Sequence, residues 1–249
     1  NLTRSSGGMA ACADDTRGVW GGGNNSRTDT IDYITVATLG DATDFGDLQT
    51  ARDEFGACSD ATRGVWAGGN TGSITNEMGY VTILTTGDAT DFGNLTEARS
   101  GDAGASNGTT GIFGGGQTTG KVVTIDYITI QSVGNATDFG DLTVARTMLG
   151  SCSNTIRAVF AGGEGASVEN TIDYITMATT GNATDFGNLS SAIEQLAGCA
   201  SATRGCFAGG RISGTNTDII QYITIDTTGN GTDFGDLTAA RRGIASLAA

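Results

Sequence analysis

Apolar, β-branched and aromatic residues come along this chain in short runs with strand character, separated by turns rich in Gly, Asn and Asp. The runs recur on three landmarks. An aromatic precedes a glycine-rich pair at Trp20, Trp66, Phe113, Phe160 and Phe207; a tyrosine sits in a β-branched run at Tyr33, Tyr80, Tyr127, Tyr174 and Tyr222; a Thr-Asp-Phe-Gly element carries Phe45, Phe92, Phe139, Phe186 and Phe234. Successive landmarks are 46 to 48 residues apart, so the chain is five copies of one unit of about 47 residues. A fixed period of that size marks a repeat architecture.

Each unit divides into four strand-like segments, the composition of one four-stranded propeller blade. In the second copy they read Phe55 to Asp60, Arg63 to Gly68, Gly79 to Leu84 and Thr90 to Leu95; the third is plainest in the first copy, Ile31 to Val36. The first segment is small, with Gly56, Ala57, Cys58 and Ser59 in one copy and Gly150, Ser151, Cys152 and Ser153 in another, which suits a strand close to the axis of a narrow ring. Gly68 and Gly69 end the second segment where the chain must turn without a Cβ, and Asp41 to Asp44 and Asn135 to Asp138 read as Asx-type turns into the fourth. The expected fold is all-β: a five-bladed β-propeller with four antiparallel strands per blade, as a single domain over 1–249.

The ends complicate ring closure. Asn1-Leu2-Thr3 aligns with Asp236-Leu237-Thr238, so the sequence starts mid-repeat and runs about 14 residues past five periods. Both ends therefore carry a candidate innermost strand. The favoured arrangement puts residues 5 to 14 in the first blade and leaves a redundant strand at 238–249. The others are a chain continuing past Ala249, or a ring with more blades completed by a partner. A start at Asn1 suggests a processed product or a slice of a longer polypeptide.

Composition narrows the functions. Pro is absent, Gly numbers 41 and only 16% of residues are charged, which fits neither a helical nor a disordered protein. No run of 18 apolar residues and no leader-like segment occurs, so neither membrane insertion nor a signal peptide is expected. The net charge of −14, with Lys121 the one lysine, lacks the basic surface that nucleic acid needs. With no histidine, Ser-His-Asp and Cys-His nucleophiles, His-ligated zinc and the commonest general base are excluded. Carboxylate pairs suitable for glycoside hydrolysis repeat in every copy, whereas a catalytic pair should break the symmetry. A non-enzyme without cofactor is expected.

Four of five cysteines, Cys12, Cys58, Cys152 and Cys199, share one repeat position that Ala105 fills in the remaining copy, which suggests small free thiols in a core. Cys199 and Cys206 flank one hairpin and are the pair to inspect for a disulfide. Asp44, Asp91, Asp138, Asp185 and Asp233, with Asp or Asn three residues either side, have oxygen ligands suitable for Ca²⁺ but not EF-hand spacing, and turn capping explains them more simply. No metal site is assigned. Two partial rings of arginines (Arg17, Arg63, Arg157, Arg204; Arg52, Arg99, Arg146, Arg241) could face an anion in the channel mouth. Pairing between blades with Asp32, Asp126 and Asp173 is the stronger reading.

The repeat resembles the kelch repeat: Val65-Trp66-Ala67-Gly68-Gly69, then Tyr80, Phe92, Leu95 and Ala98-Arg99, over essentially the whole chain. It departs from that pattern in using Phe for the last-strand Trp and in Ile193, which replaces the Arg of the fourth copy. The run Ala-Thr-Asp-Phe-Gly-Asp-Leu-Thr is similar to kelch-like repeats encoded by marine bacteriophages, which implies a virion or tail-appendage protein. The copper-tyrosine chemistry of a kelch-like oxidase needs histidine ligands, so the resemblance does not carry that activity here.

Copies differ most between the second and third segments. There the candidate binding residues are Asn24, Asn25 and Arg27, then Asn70, Ser73 and Asn76, Gln117 and Lys121, Glu164 and Asn170, and Arg211 and Asn216. Variable loops on a uniform frame suit a non-enzymatic module that meets a protein or glycan surface. Neutral drift in solvated turns explains the variation equally well. The alternative is a lectin with one sugar site per blade. Of 16 aromatics, 15 sit at the landmarks and only Phe55 does not. If those 15 pack between blades, at roughly 1.5–3 kcal/mol for each one fully buried, few rings remain to stack on sugars.

Overall fold

The computed structural model describes residues 2, 3, 7–24 and 26–245. Every repeat forms one antiparallel sheet with its strands in sequence order from the axis outward. Blade 1 comprises β1 (Ala10–Ala13), β2 (Arg17–Gly21), β3 (Thr30–Thr35) and β4 (Thr43–Asp47). Blade 2 holds β5 (Gly56–Ser59), β6 (Arg63–Ala67), β7 (Glu77–Thr82) and β8 (Thr90–Asn94); blade 3 holds β9 (Ala103–Ser106), β10 (Thr110–Gly114), β11 (Thr124–Thr129) and β12 (Thr137–Asp141). Blade 4 has β13 (Gly150–Ser153), β14 (Arg157–Ala161), β15 (Thr171–Thr176) and β16 (Thr184–Asn188). In blade 5, β17 (Ala197–Ala200) and β18 (Arg204–Ala208) are followed by a small hairpin of β19 (Arg211–Ile212) and β20 (Thr215–Asn216), then β21 (Ile219–Thr224) and β22 (Thr232–Asp236). The molecule is a five-bladed β-propeller, as the repeat predicts. The third strand of blade 2 starts two residues before the predicted Gly79, because Glu77 and Met78 pair with Asn94 and Gly93.

The small innermost strands β1, β5, β9, β13 and β17 line a narrow axial channel, with Ala11, Ala57, Gly104, Ser151 and Gly198 on its wall. Larger side chains point sideways into four seams, each with its own apolar core. Phe45 of blade 1 packs with Trp66 of blade 2, Phe92 with Phe113, Phe139 with Phe160 and Phe186 with Phe207. Within each blade the landmark Tyr and Phe meet edge to face at 5.8–6.0 Å.

Backbone bonds also cross the seams. The amides of Gly87 and Ala89 donate to the carbonyls of Phe45 and Asp47, and the Asp47 amide donates to the Asp88 carboxylate at 3.1 Å. Asn135, Asn182 and Asn230 cap the following seams in the same way. The Asp or Asn three residues before the Asp of the Thr-Asp-Phe element in blades 2–5 is therefore an inter-blade cap. Close approach at this point requires glycine: β8 bulges at Gly93, φ +134°, where a Cβ would strike the Gly134 carbonyl oxygen.

Three members of the second arginine ring, Arg52, Arg99 and Arg146, clamp seams rather than facing the channel. Arg99 Nη1 lies 3.0 Å from the Asp126 carboxylate, an ion pair without an aligned hydrogen bond, and Arg146 Nη2 donates to Asp173 at 2.9 Å. Arg52 reaches Glu77 and the Gly68 carbonyl. At the fourth seam Ile193 stands in place of the arginine and Gln221 in place of the aspartate, both buried, so this seam carries neither member of the pair. Arg17, Arg63 and Arg157 of the first ring stack on Tyr33, Tyr80 and Tyr174 and donate across seams to the carbonyls of Ile83, Ile130 and Ile225.

All five thiols are free. Cys12, Cys58 and Cys152 are buried in seams, and burial raises the Cys58 thiol well above its ordinary value. Cys199 and Cys206 face each other across β17 and β18 without a bond. The candidate strand at 238–249 lies partly outside the described residues, at 246–249, and 238–245 carry no strand; of the favoured first segment, Ser5 and Ser6 also lie outside them.

Candidate functional site: the loop end of the propeller

The connections from second to third strand and those from fourth strand to the next blade emerge at one end of the molecule. There they pair through the backbone: Asn70 exchanges two hydrogen bonds with Asp53, Gln117 with Ser100, Glu164 with Thr147 and Arg211 with Glu194, while the Asn24 amide donates to Gly7. Five variable side chains thus hang from equivalent, fixed backbone positions. Asn24, Gln117 and Asn216 are exposed, as is Ser73, while Asn76, whose Nδ2 donates to the Leu95 carbonyl, and Asn170 are half-buried. Asn25 lies outside the described residues.

The charged candidates are tied together across neighbouring loops. Lys121 Nζ donates to Glu164 Oε1 at 3.0 Å and to the Gly165 carbonyl at 2.6 Å. Arg27 Nε pairs with Asp53 at 3.2 Å, and Arg211 Nε lies 3.5 Å from Glu194. One cation in each of three loops is thereby held in place, leaving the carboxylates partly neutralised.

At the centre of this end, six residues close a ring of backbone hydrogen bonds around the axis. The Glu54 amide donates to Gly8, Gly101 to Glu54, Met148 to Gly101, Gln195 to Met148, Gly243 to Gln195 and Gly8 to Gly243, at 2.6–3.1 Å. All six have left-handed φ between +55° and +70°. That is costly for Glu54, Met148 and Gln195, at about 1 kcal/mol or more each. Beneath the ring lies a cavity of about 330 Å³ whose polar lining includes Asn24, Glu54, Asp102, Gln195 and Arg242.

Asp102 is what the sequence reading missed. It stands where the other copies carry Met9, Phe55, Leu149, Leu196 and Ile244. Its carboxylate is buried without an aligned donor. Burial pushes the group up to about 7, against the pull of the Arg99 guanidinium. Glu54 is also raised, by burial first and the nearby Asp53 second. Superposing the copies exposes Asp102 as the one acid in an apolar column.

Asp44, Asp91, Asp138, Asp185 and Asp233 are exposed on the outermost strands, and among the described residues no cluster of three or more acidic or thiol side chains could hold a metal. No helix is long and apolar enough to cross a membrane. No protein-family model matches the chain, and no curated protein is significantly similar to it.

Proposed function

We propose that this propeller is a non-enzymatic interaction or structural module whose contact surface is the loop end, and that its partner is a protein surface. The propeller fold commonly serves in protein binding. The observation that carries the reading is the array of Asn24, Asn70, Gln117, Glu164 and Arg211, three neutral amides, an acid and a base held at backbone-bridged, equivalent positions. A rigid frame with unlike side chains suits one composite epitope better than five equal small-molecule sites. The likeness to kelch-like repeats of marine phages adds the setting of a virion or tail appendage that meets a host surface.

The rival is a lectin with one site per blade. Against it stands the placement of the aromatics: the landmark Phe residues of blades 1–4 are buried in seams, and the tyrosines lie under arginines or against phenylalanines. The test is a set of five chains, each with one loop replaced by Gly-Ser, screened for binding to intact bacterial cells and to a glycan array. A protein-surface module loses cell binding through one or two particular loops. Equal, stepwise loss of glycan binding from every loop would favour the lectin, and turnover in a hydrolase or oxidase screen would overturn both.

A further inference from the structure

Blades that are alike in sequence are unlike in exposure at two faces only. On the outer strand, Phe45, Phe92, Phe139 and Phe186 are 0–3% exposed, yet Phe234 of blade 5 is 55% exposed. Ile83, Ile130, Met177 and Ile225 are 0–4% exposed, yet the equivalent Val36 of blade 1 is 54% exposed. Trp20 is half-buried where Trp66, Phe113, Phe160 and Phe207 are enclosed, and Cys206 is half-buried where Val19, Val65, Ile112 and Val159 are enclosed. Five blades share four cores, and β17 does not pack on β1 as β5 does on β1 or β17 on β13.

The axial ring explains why. It has six members, one for each boundary between blades: Gly8, Glu54, Gly101, Met148, Gln195 and Gly243. A closed ring of five blades has five boundaries. The repeat therefore turns with a six-step pitch, and five blades leave one step open between blade 5 and blade 1. The chain's own ends frame that step. Thr3 Oγ1 donates to Asp32 at 2.6 Å just as Thr96 donates to Asp126 and Thr143 to Asp173, so Leu2 and Thr3 lie where a preceding blade's outermost strand finishes. Gly243 lies where a following blade's innermost strand begins.

Groups that bridge other seams lack that partner here. Arg52, Arg99 and Arg146 clamp the blade that follows them, but the exposed Arg241 guanidinium bonds, among the described residues, only the Ala239 carbonyl. Arg204 stacks on Tyr222 like its counterparts but, among the described residues, reaches no carbonyl across the seam as they do. Around Gly235 no atom of the described residues lies within 4 Å of a Cβ, whereas at Gly46, Gly93, Gly140 and Gly187 the next blade's backbone would collide with one.

We propose that the open step is the seat of a sixth copy of the same repeat, carried by polypeptide that continues the array, so that the closed propeller has six blades. The two faces state what that copy must bring. It needs an aromatic on its second strand to cover Phe234, a loop with Asp or Asn to cap β22, and an acidic residue on its third strand for Arg241. On its far side it needs an outer-strand phenylalanine to cover Trp20 and Val36.

The experiment compares this chain with one in which a copy of residues 150–187, which contains no Trp, follows Ile244 directly, since Ile244 aligns with Leu149. In a Trp66→Phe background, acrylamide quenching reads Trp20 alone, and maleimide labelling with peptide mapping reads each thiol. In the five-copy chain Trp20 should be quenched and Cys199 and Cys206 labelled, while Cys12, Cys58 and Cys152 resist. In the six-copy chain Trp20 should become as protected as Trp66 in a Trp20→Phe variant, and Cys199 and Cys206 as slow as Cys152. The molecule should sediment as a monomer, and Arg241→Ile should partly restore labelling. Should Trp66→Phe fail to fold, the thiols alone decide. Protection of Cys199 and Cys206 already present in a monomeric five-copy chain would overturn the proposal. So would unchanged labelling in a folded six-copy chain, or a five-copy dimer that buries both faces, which would make a second molecule the occupant.

Discussion

Arg146 and Asp173 meet 2.9 Å apart inside the seam between blades 3 and 4, both side chains fully enclosed. The guanidinium also donates to the carbonyls of Thr171 and Phe160, so one side chain joins the end of blade 3 to two strands of blade 4. Burial lowers the Arg146 pKa and the nearby Asp173 opposes the shift. A seam without this pair exists in the same molecule, with Ile193 and Gln221.

Removing either partner alone should therefore be severe, about 3–5 kcal/mol, because an uncompensated charge stays buried. Arg146→Ile combined with Asp173→Gln, which copies the fourth seam, should recover most of that loss. Urea unfolding of the two single variants and the double variant gives the coupling directly. Additive losses would mean that the pair is not energetically linked.

Asp102 makes stability depend on pH in a direction unusual for a carboxyl group. Its native pKa of about 7 exceeds the unfolded value, so between about pH 4 and 7 the folded state binds more protons. The Asp102 contribution is greatest below that window and falls as pH rises through it, by up to about 1.4 kcal/mol per unit. Asp102→Leu, the residue of Leu149 and Leu196, should flatten the dependence and raise stability at pH 8. Melting temperatures from pH 4 to 8 check this.

In the axial ring, Gln195 holds φ +57° while Gly8, Gly101 and Gly243 hold similar angles without a side chain. Gln195→Gly should thus stabilise the fold or leave it unchanged, within about 1 kcal/mol, because strain relief offsets the added freedom of the unfolded chain. The opposite change, Gly101→Ala, should destabilise, since its Cβ would strike the Thr147 hydroxyl. Denaturation midpoints distinguish the two.

Gly93 and Gly235 share φ +134°, but only Gly93 has a neighbouring backbone within contact of a Cβ. Gly93→Ala should cost markedly more than Gly235→Ala, and the difference isolates seam crowding from backbone strain. Equal losses would show that the conformation alone sets the requirement.

The repeat, the four strands per blade and the small channel-lining residues were legible because each follows from local composition at a fixed period. The Asp and Asn caps were legible as turn formers. Their role in holding Asp47 or Asn94 of the preceding blade was not, because the bond joins residues 41 apart. Counting repeats counts blades, but the angle between blades depends on how Phe45 fits against Trp66 and Phe92 against Phe113, and no single copy contains that contact. The loops were found by their variability, whereas the Lys121–Glu164 bond spans two copies. Asp102 is a single departure from an apolar column, visible only once the copies are superposed.

The four separate cores have a kinetic consequence. Each blade is built from contiguous residues and touches only its neighbours, so stability is a sum of blade terms and nearest-neighbour terms, and folding can nucleate at any blade and spread outward. The seam with Ile193 and Gln221 has no enclosed arginine to desolvate, while those on its N-terminal side must bury one. Blades 4 and 5 should then mate early, with the charged seams locking afterwards, and salt should retard the later steps more than the first.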